Sequence, residues 1–215
     1  NDKGYSIIAT YNKIKPDLQN YPKIFEQCDP RNLSKIIKIA KKYKVKNFIS
    51  DQCDYSNYAV GFLRNYFKTH NETFDQYQLT NNKYWMRSKC KEGNIMQPRF
   101  FHCKTIQDVH EAMNFINFPI VLKPVDNRGS TGINIINKTS ELQNAFLEAL
   151  LASNSRSVLV EAYIQGIHVS LDGYFDSNKQ FYVSGIGSKK IKAGQRPIIY
   201  EVNYPANIAQ EYQEN

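Results

Sequence analysis

The sequence predicts an α/β protein in two parts, and three observations carry that expectation. Short apolar runs alternate with amphipathic helical stretches in the first part, which points to parallel strands joined by helices. Further on, apolar runs flank a glycine-bearing loop, and two more alternate around the turn Asp176-Ser-Asn-Lys179, the pattern of antiparallel hairpins. Finally, 215 residues at 41% hydrophobic content can bury a real core, enough for one large or two small domains, which excludes a disordered chain.

The elements follow in order. Tyr5 to Ala9 reads as a strand, and a Pro- and Asn-bearing connection leads to a short second strand at Lys23-Ile-Phe-Glu26. Asp29-Pro30 supplies an N-cap and an N1 proline. The helix it opens carries Leu33, Ile36, Ile37 and Ala40 on one stripe, with Lys35, Lys38, Lys41, Lys42 and Lys44 largely off it, the arrangement of a solvated face. Lys46 to Ser50 is the next expected strand, Asp51 to Asp54 a loop, and Ser56 to Lys68 a helix. Asn71 to Gln78 looks like a polar connection, so the domain boundary is expected at 72/73, giving parts 1–72 and 73–215.

In the second part Thr80 caps a helix from about Asn81 to Lys91, closed by Gly93. Pro98 to Cys103 is a strand, and Thr105 with Asp108 opens a helix that runs through Ile116. Ile120 to Lys123 and Ile133 to Ile136 are strands around a loop, Ser140 to Ala152 is a helix, and Ser157 to Ala162 is a strand. Ile167 to Phe175 and Gln180 to Gly187 form the hairpin.

Lys+Arg exceeds Asp+Glu by enough to give a net charge of +8, which suits partners carrying phosphate, nucleotide or nucleic acid alike. Cys28, Cys53, Cys90 and Cys103 are too far apart for a C-x-x-C or zinc-finger pattern and read as reduced thiols, with a disulfide pair left open. No apolar run reaches membrane-spanning length and no signal-like segment opens the chain, so a cytoplasmic protein is expected.

The residues that can carry chemistry centre on Phe118-Pro-Ile-Val-Leu-Lys123-Pro and the loop Asp126-Asn-Arg-Gly129-Ser130-Thr131-Gly132. An apolar strand delivers one ammonium group to its end, an expensive place unless the group is paired or faces a cleft. Gly129 and Gly132 let the backbone approach an anion, Ser130 and Thr131 add hydroxyls, and consecutive N–H groups can cradle phosphate oxygens. No Gly-Lys-Ser/Thr follows, so this is no Walker A loop, and an ordinary glycine hairpin is the competing reading. Lys83 falls in the first turn of a helix, where only an anion or another role offsets the dipole. The strand ending at Glu161-Ala162 runs into Tyr163-Ile164-Gln-Gly166, a hinge whose backbone groups could bond a flat heterocycle.

These motifs, in this order, resemble the ATP-grasp superfamily, whose members include biotin carboxylase, the large chain of carbamoyl-phosphate synthase and D-alanine ligase. Leu79 to Arg87 is similar to the family's first-lysine helix, Lys123 with Gly129 to Gly132 to its second lysine and phosphate flap, and Val160 to Ile164 to its adenine hinge. The resemblance implies a partial Rossmann-like pre-ATP-grasp domain followed by α+β ATP-grasp subdomains. It implies that Lys83 and Lys123 contact ATP phosphates, that Gly129, Ser130, Thr131 and Gly132 form the flap, and that Glu161 accepts from the adenine amino group. The backbone of Ala162 and Ile164 would complete the hinge, and His168 falls where members bind ribose; a core or surface histidine is the alternative there.

Ala162 stands where many members carry a lysine, so a side-chain contact to adenine is lost. The family's Mg2+ ligands include a Glu-x-Asn pair, which Glu201-Val-Asn203 imitates, but this pair follows Glu161 too soon and resembles the strand before the family's Pro-Ala-headed helix, here Pro205-Ala206. Metal ligands and catalytic residues are therefore expected beyond Asn215. The chain also opens without the strand and glycine-rich turn usual in the preceding domain, which reads as a late start, and a fragment cut before the catalytic acids is expected to be inactive alone. The expected function is the ATP-binding portion of an ATP-dependent carboxylate–amine or carboxylate–thiol ligase working through an acyl phosphate. The alternatives are a non-catalytic nucleotide-binding module and, third, a basic nucleic-acid-binding protein. Expected partners are ATP with Mg2+, a small carboxylate and its nucleophile, with no membrane and no nucleic acid; a homodimer is left open. Asp51 to Tyr55, at the end of a parallel strand, is a candidate wall of the acceptor site, with helix capping as its competing role.

Overall fold

The computed structural model describes residues 4–14, 24–50, 53–69, 74–176, 178–192, 194 and 197–209. It divides into two compact units, Asn1–Asn82 and Lys83–Asn215.

In the first unit, β1 (Ile8–Tyr11) and β2 (Ile24–Gln27) pair in parallel, with Ile8 beside Ile24. The helix α1 (Leu33–Lys42) buries Ile36, Ile39 and Ala40 and ends on Lys41 and Lys42, which complement the negative end of its dipole. The core adds Cys28, Phe48 and three residues of α2 (Asp54–Phe67), namely Ala59, Val60 and Leu63. Helix α3 (Phe74–Asn81) packs so closely on α2 that a Cβ on Gly61 would lie 2.4 Å from the Tyr77 ring, so only glycine fits there.

Four expectations for this region change. Asn32, not Asp29, caps α1, its side chain accepting from the Lys35 N–H; the Asp29 carboxylate is taken by the Arg31 backbone and guanidinium. Lys46 to Ser50 forms no strand: Arg64 Nε donates to the Phe48 carbonyl at 2.9 Å, and Phe48 N–H donates to the Asn47 side chain. Residues 71–73 of the expected polar connection lie outside the described residues, and from Phe74 onward it is α3. Thr80 is inside α3, where its hydroxyl donates to the Tyr77 carbonyl and accepts from Asn57, so it does not cap the next helix. Asp51 also lies outside the described residues, and the N-cap of α2 is Cys53.

The second unit opens with α4 (Lys83–Glu92), β3 (Phe100–Cys103) and α5 (Ile106–Ala112). Thr105 and Asp108 form a complete capping box at the start of α5, as their spacing predicts. Next come β4 (Ile120–Pro124), β5 (Asn134–Ile136), α6 (Leu142–Ala152) and β6 (Val158–Ala162). The strands make one antiparallel sheet in the order β3-β6-β4-β5.

Alternation gives this sheet two different faces. Ile120, Leu122, Ile136, Val158 and Val160 form a core with Val109 of α5 and with Leu142, Ala145, Phe146 and Ala149 of α6. The intervening residues, Val121, Lys123, Ile135 and Glu161, turn the other way.

A second antiparallel sheet follows, of β7 (His168–Phe175), β8 (Phe181–Lys192) and β9 (Ile198–Asn203). Asp176 closes the β7–β8 hairpin by accepting, through its side chain, from the N–H groups of Asn178 and Gln180. All four cysteines are free thiols, and burial pushes Cys103 up to about 12. Among the described residues, no helix is long and apolar enough to cross a membrane.

Candidate functional site: a cavity on the open sheet face

The sheet face turned away from α5 and α6 forms one wall of a cavity of about 1010 Å³ within the second unit. Its apolar lining includes Val121, Ile133, Ile135, Ile164, Ile167 and Ile191, and its charged groups are Arg87, Lys123, Glu161, Lys189 and Lys192, with His168 nearby on the wall. An apolar slot with a few charged groups is the composition of a small-molecule site.

The charged core of this wall comes from two strands and a helix. Val121 pairs with Glu161 and Lys123 with Leu159, so Lys123 and Glu161 are diagonal neighbours on one face. Lys123 Nζ donates to Glu161 Oε2 at 2.6 Å. From α4, Arg87 Nε donates to Glu161 Oε1 at 2.7 Å and Nη2 reaches Oε2 at 3.5 Å. The side chains of Glu161, Lys123 and Arg87 are 5%, 15% and 26% exposed, so the acid is the most enclosed member and has a cation on each oxygen.

Burial alone would raise the Glu161 carboxyl, but the hydrogen bonds and charges of Arg87 and Lys123 outweigh it and hold the group below its ordinary value. Burial lowers the Lys123 ammonium, Glu161 opposes that, and the Arg87 charge adds to it. The trio carries a net charge of +1. Removing one partner from such a buried pair costs roughly 3–5 kcal/mol, because the other is left uncompensated.

The loop between β4 and β5 is anchored at its base. Asp126 accepts from Ser153 Oγ at 2.6 Å, Asn154 N–H at 3.0 Å and Ser155 N–H at 2.8 Å, while Asn127 Nδ2 donates to the Ala152 carbonyl at 2.7 Å. Lys83 reaches the same base: its backbone N–H donates to the Val125 carbonyl at 2.8 Å, and its Nζ donates to the Asn127 carbonyl. At the loop's far end Gly132 has φ +72°, and a Cβ there would lie 2.7 Å from Ala152 Cβ. The loop thus seats on α6.

The structure brings Lys123, Glu161, Ala162, Ile164 and His168 onto the cavity wall. Lys83 and the stretch Gly129, Ser130, Thr131 and Gly132 are not among the described lining residues; Lys83 joins the loop base through Asn127. The hinge backbone is fastened on both sides, Ala162 N–H to Arg99 O at 2.9 Å and Tyr163 N–H to Pro119 O at 3.1 Å. His168 is exposed and faces Lys189 across the β7–β8 ladder. Arg87 is the residue that motif reading passed over. The available signal was its i+4 spacing from Lys83, which puts both on one side of α4.

Among the described residues, no three His, Cys, Asp or Glu side chains gather as a metal site. Glu201, the acid of the Glu-x-Asn pair, is bonded by Lys190 at 2.9 Å and by Asn203 Nδ2 at 2.8 Å, on strand β9. These donors do not fit Mg2+ as they stand.

Residues 116–215 match the sequence model of the ATP-grasp domain. That stretch is similar to the ATP-grasp domain, and the fold of the chain is similar to that of solved ATP-grasp structures. Over 120 residues the chain is 24% identical to the carbamoyl phosphate synthase large chain of Clostridium acetobutylicum, covering 56% of this chain and 11% of that one. Among solved structures it is similar to an L-amino acid ligase from Bacillus licheniformis, with TM-score 0.76, 16% identity and coverage of 99% of this chain and 52% of the other. It is also similar to the biotin carboxylase domain of the Hydrogenobacter thermophilus 2-oxoglutarate carboxylase, a structure in complex with MgADP, ADP and bicarbonate. There the TM-score is 0.74 at 18% identity, covering 91% of this chain and 47% of the other. The chain thus spans about half the length of these solved relatives and a small part of the curated one.

Proposed function

We propose that the Lys83–Asn215 unit binds ATP in this cavity, as the nucleotide-binding part of an ATP-dependent ligase that joins a carboxylate to an amine or thiol through an acyl phosphate. One observation carries the reading above the others: a half-buried lysine, Lys123, is held by a buried glutamate on the wall of an apolar slot. A structural role alone does not call for an ion pair on that face.

In this reading the adenine lies against Val121 and Ile135 and bonds the backbone of Ala162 and Ile164, with the Glu161 carboxylate at its amino group. His168 stands beside the ribose. Lys123, Lys83 and the N–H groups of Gly129 to Gly132 gather the phosphates. Transfer of a phosphoryl group needs charge neutralisation and positioning more than covalent help from the protein, and cationic and N–H donors supply both. The MgADP in the biotin carboxylase domain and the similarity to the L-amino acid ligase of Bacillus licheniformis support the same class.

Calorimetric titration of ATP into the whole polypeptide carrying this chain tests the proposal. Wild type binds ATP, and Lys123→Ala weakens binding by about tenfold or more while RNA and DNA binding are unchanged. Absence of ATP binding by the folded wild type ends this reading. If ATP binds but ADP is not released on adding carboxylates and amines, the non-catalytic nucleotide module replaces the ligase.

A further inference from the structure

We infer that Arg87 is a positioning residue that acts through Glu161 to set where Lys123 points, so that the phosphate-binding ammonium is placed from helix α4 rather than from its own strand. The inference rests on the ATP reading above for its functional readout, and on the cluster's geometry for its substance.

Glu161 lies on β6, between β3 and β4, where its neighbours Phe100 and Val121 offer no polar atom. Its two oxygens have two different partners, Arg87 Nε at 2.7 Å and Lys123 Nζ at 2.6 Å. Without Arg87 the acid and Lys123 would form an isolated buried pair, and the lysine would be the only cation neutralising a carboxylate enclosed on three strands. An ammonium so committed resists transfer to a phosphate, because leaving would strand the acid. With Arg87 present, Glu161 retains a cationic partner whichever way Lys123 turns.

Arg87 is equipped to stay put. Its guanidinium approaches both carboxylate oxygens, Nε to Oε1 at 2.7 Å and Nη2 to Oε2 at 3.5 Å. Its turn of α4 is pinned by Gln97, whose Nε2 donates to the Arg87 carbonyl at 2.9 Å.

The test has two arms, both on the whole polypeptide. In the first, unfolding midpoints are compared for Arg87→Met, Glu161→Gln and the double variant. If Arg87 acts through Glu161, its replacement lowers the midpoint of the wild type but moves that of Glu161→Gln little; equal losses in both backgrounds overturn the inference. In the second, ATP, ADP and adenosine are titrated into Arg87→Met and Arg87→Lys. Expected are about tenfold losses for ATP and ADP in Arg87→Met, little change for adenosine, and partial recovery in Arg87→Lys. Wild-type ATP affinity in Arg87→Met, or equal losses for ATP and adenosine, overturns it. If the wild type binds no ATP, the function reading fails, and the first arm still decides the coupling.

Discussion

Gly132→Ala separates a loop that merely turns from one that is seated on a helix. Gly132 has φ +72°, where an L side chain costs about 1–2 kcal/mol. The added methyl would also lie 2.7 Å from Ala152 Cβ, and 3.4 Å from both Ala149 Cα and Glu148 O, which are α6 backbone atoms that cannot swing aside. Overpacking of that kind costs about 1–3 kcal/mol. Reduced freedom of the unfolded chain returns about 0.4–1 kcal/mol. The expected net loss is therefore about 1–5 kcal/mol. Gly129→Ala is the internal control: its φ is +63°, but nothing lies within 4 Å of a Cβ, so it meets only the backbone cost. Urea denaturation followed by circular dichroism gives both losses, and Gly132→Ala should exceed Gly129→Ala by about 1–3 kcal/mol, the contact contribution alone. Equal losses within about 0.5 kcal/mol would refute the seating of the loop on α6.

Two further outcomes follow from the same unit. Because the Glu161 carboxyl is held below the ordinary glutamate value of 4.5, the folded state binds its proton less readily than the unfolded state; its stabilisation is complete above that value and is lost as pH falls through the lowered one. Urea midpoints measured from neutral pH downward should fall in the wild type, and the step assigned to Glu161 should be missing in Glu161→Gln. Asp126→Ala removes the acceptor of Ser153 Oγ and of the Asn154 and Ser155 N–H groups, a loss of about 1.5–3 kcal/mol for a charged acceptor. Hydrogen exchange should rise first at Asn154 and Ser155, and unchanged protection there would count against Asp126 as the anchor.

Much of the second unit was legible because each element there satisfies local rules unaided. Thr105 and Asp108 sit at capping-box spacing, and the apolar run Ile120 to Leu122 ending on Lys123 marks a strand, although the face each residue takes is seen only in the folded sheet. The first unit was harder where long-range partners override local signals. Lys46 to Ser50 has the composition of a strand, yet Arg64 on α2 takes the Phe48 carbonyl that a ladder would use. Asp29-Pro30 looks like a helix start, yet Arg31 captures the carboxylate and the cap passes to Asn32. Within the site, the strand residues were legible from motif order, whereas the Arg87 bond to Glu161 spans 74 positions of sequence and leaves no local mark beyond helical spacing.

The cost of the Arg87–Glu161–Lys123 cluster bears on why it exists. On the helix-facing side of β4 and β6, Ile120, Leu122, Val158 and Val160 are fully buried aliphatic side chains, at about 25 cal/mol for each Å² removed from water. The opposite face could be built the same way, and replacing a buried ionic triad by well-packed apolar groups is often neutral or stabilising by about 1–4 kcal/mol. Two cations and an acid on that face therefore do little that stability requires, and they leave one positive charge uncompensated. That surplus matters only if something negative is to be held. The glycine loop seated on α6 follows the end of β4 that carries Lys123, and the lysine of α4 is bonded at the base of that loop. On the proposed reading a ligand balances that charge, the acid keeps the ammonium charged, and Arg87 lets it turn to the ligand.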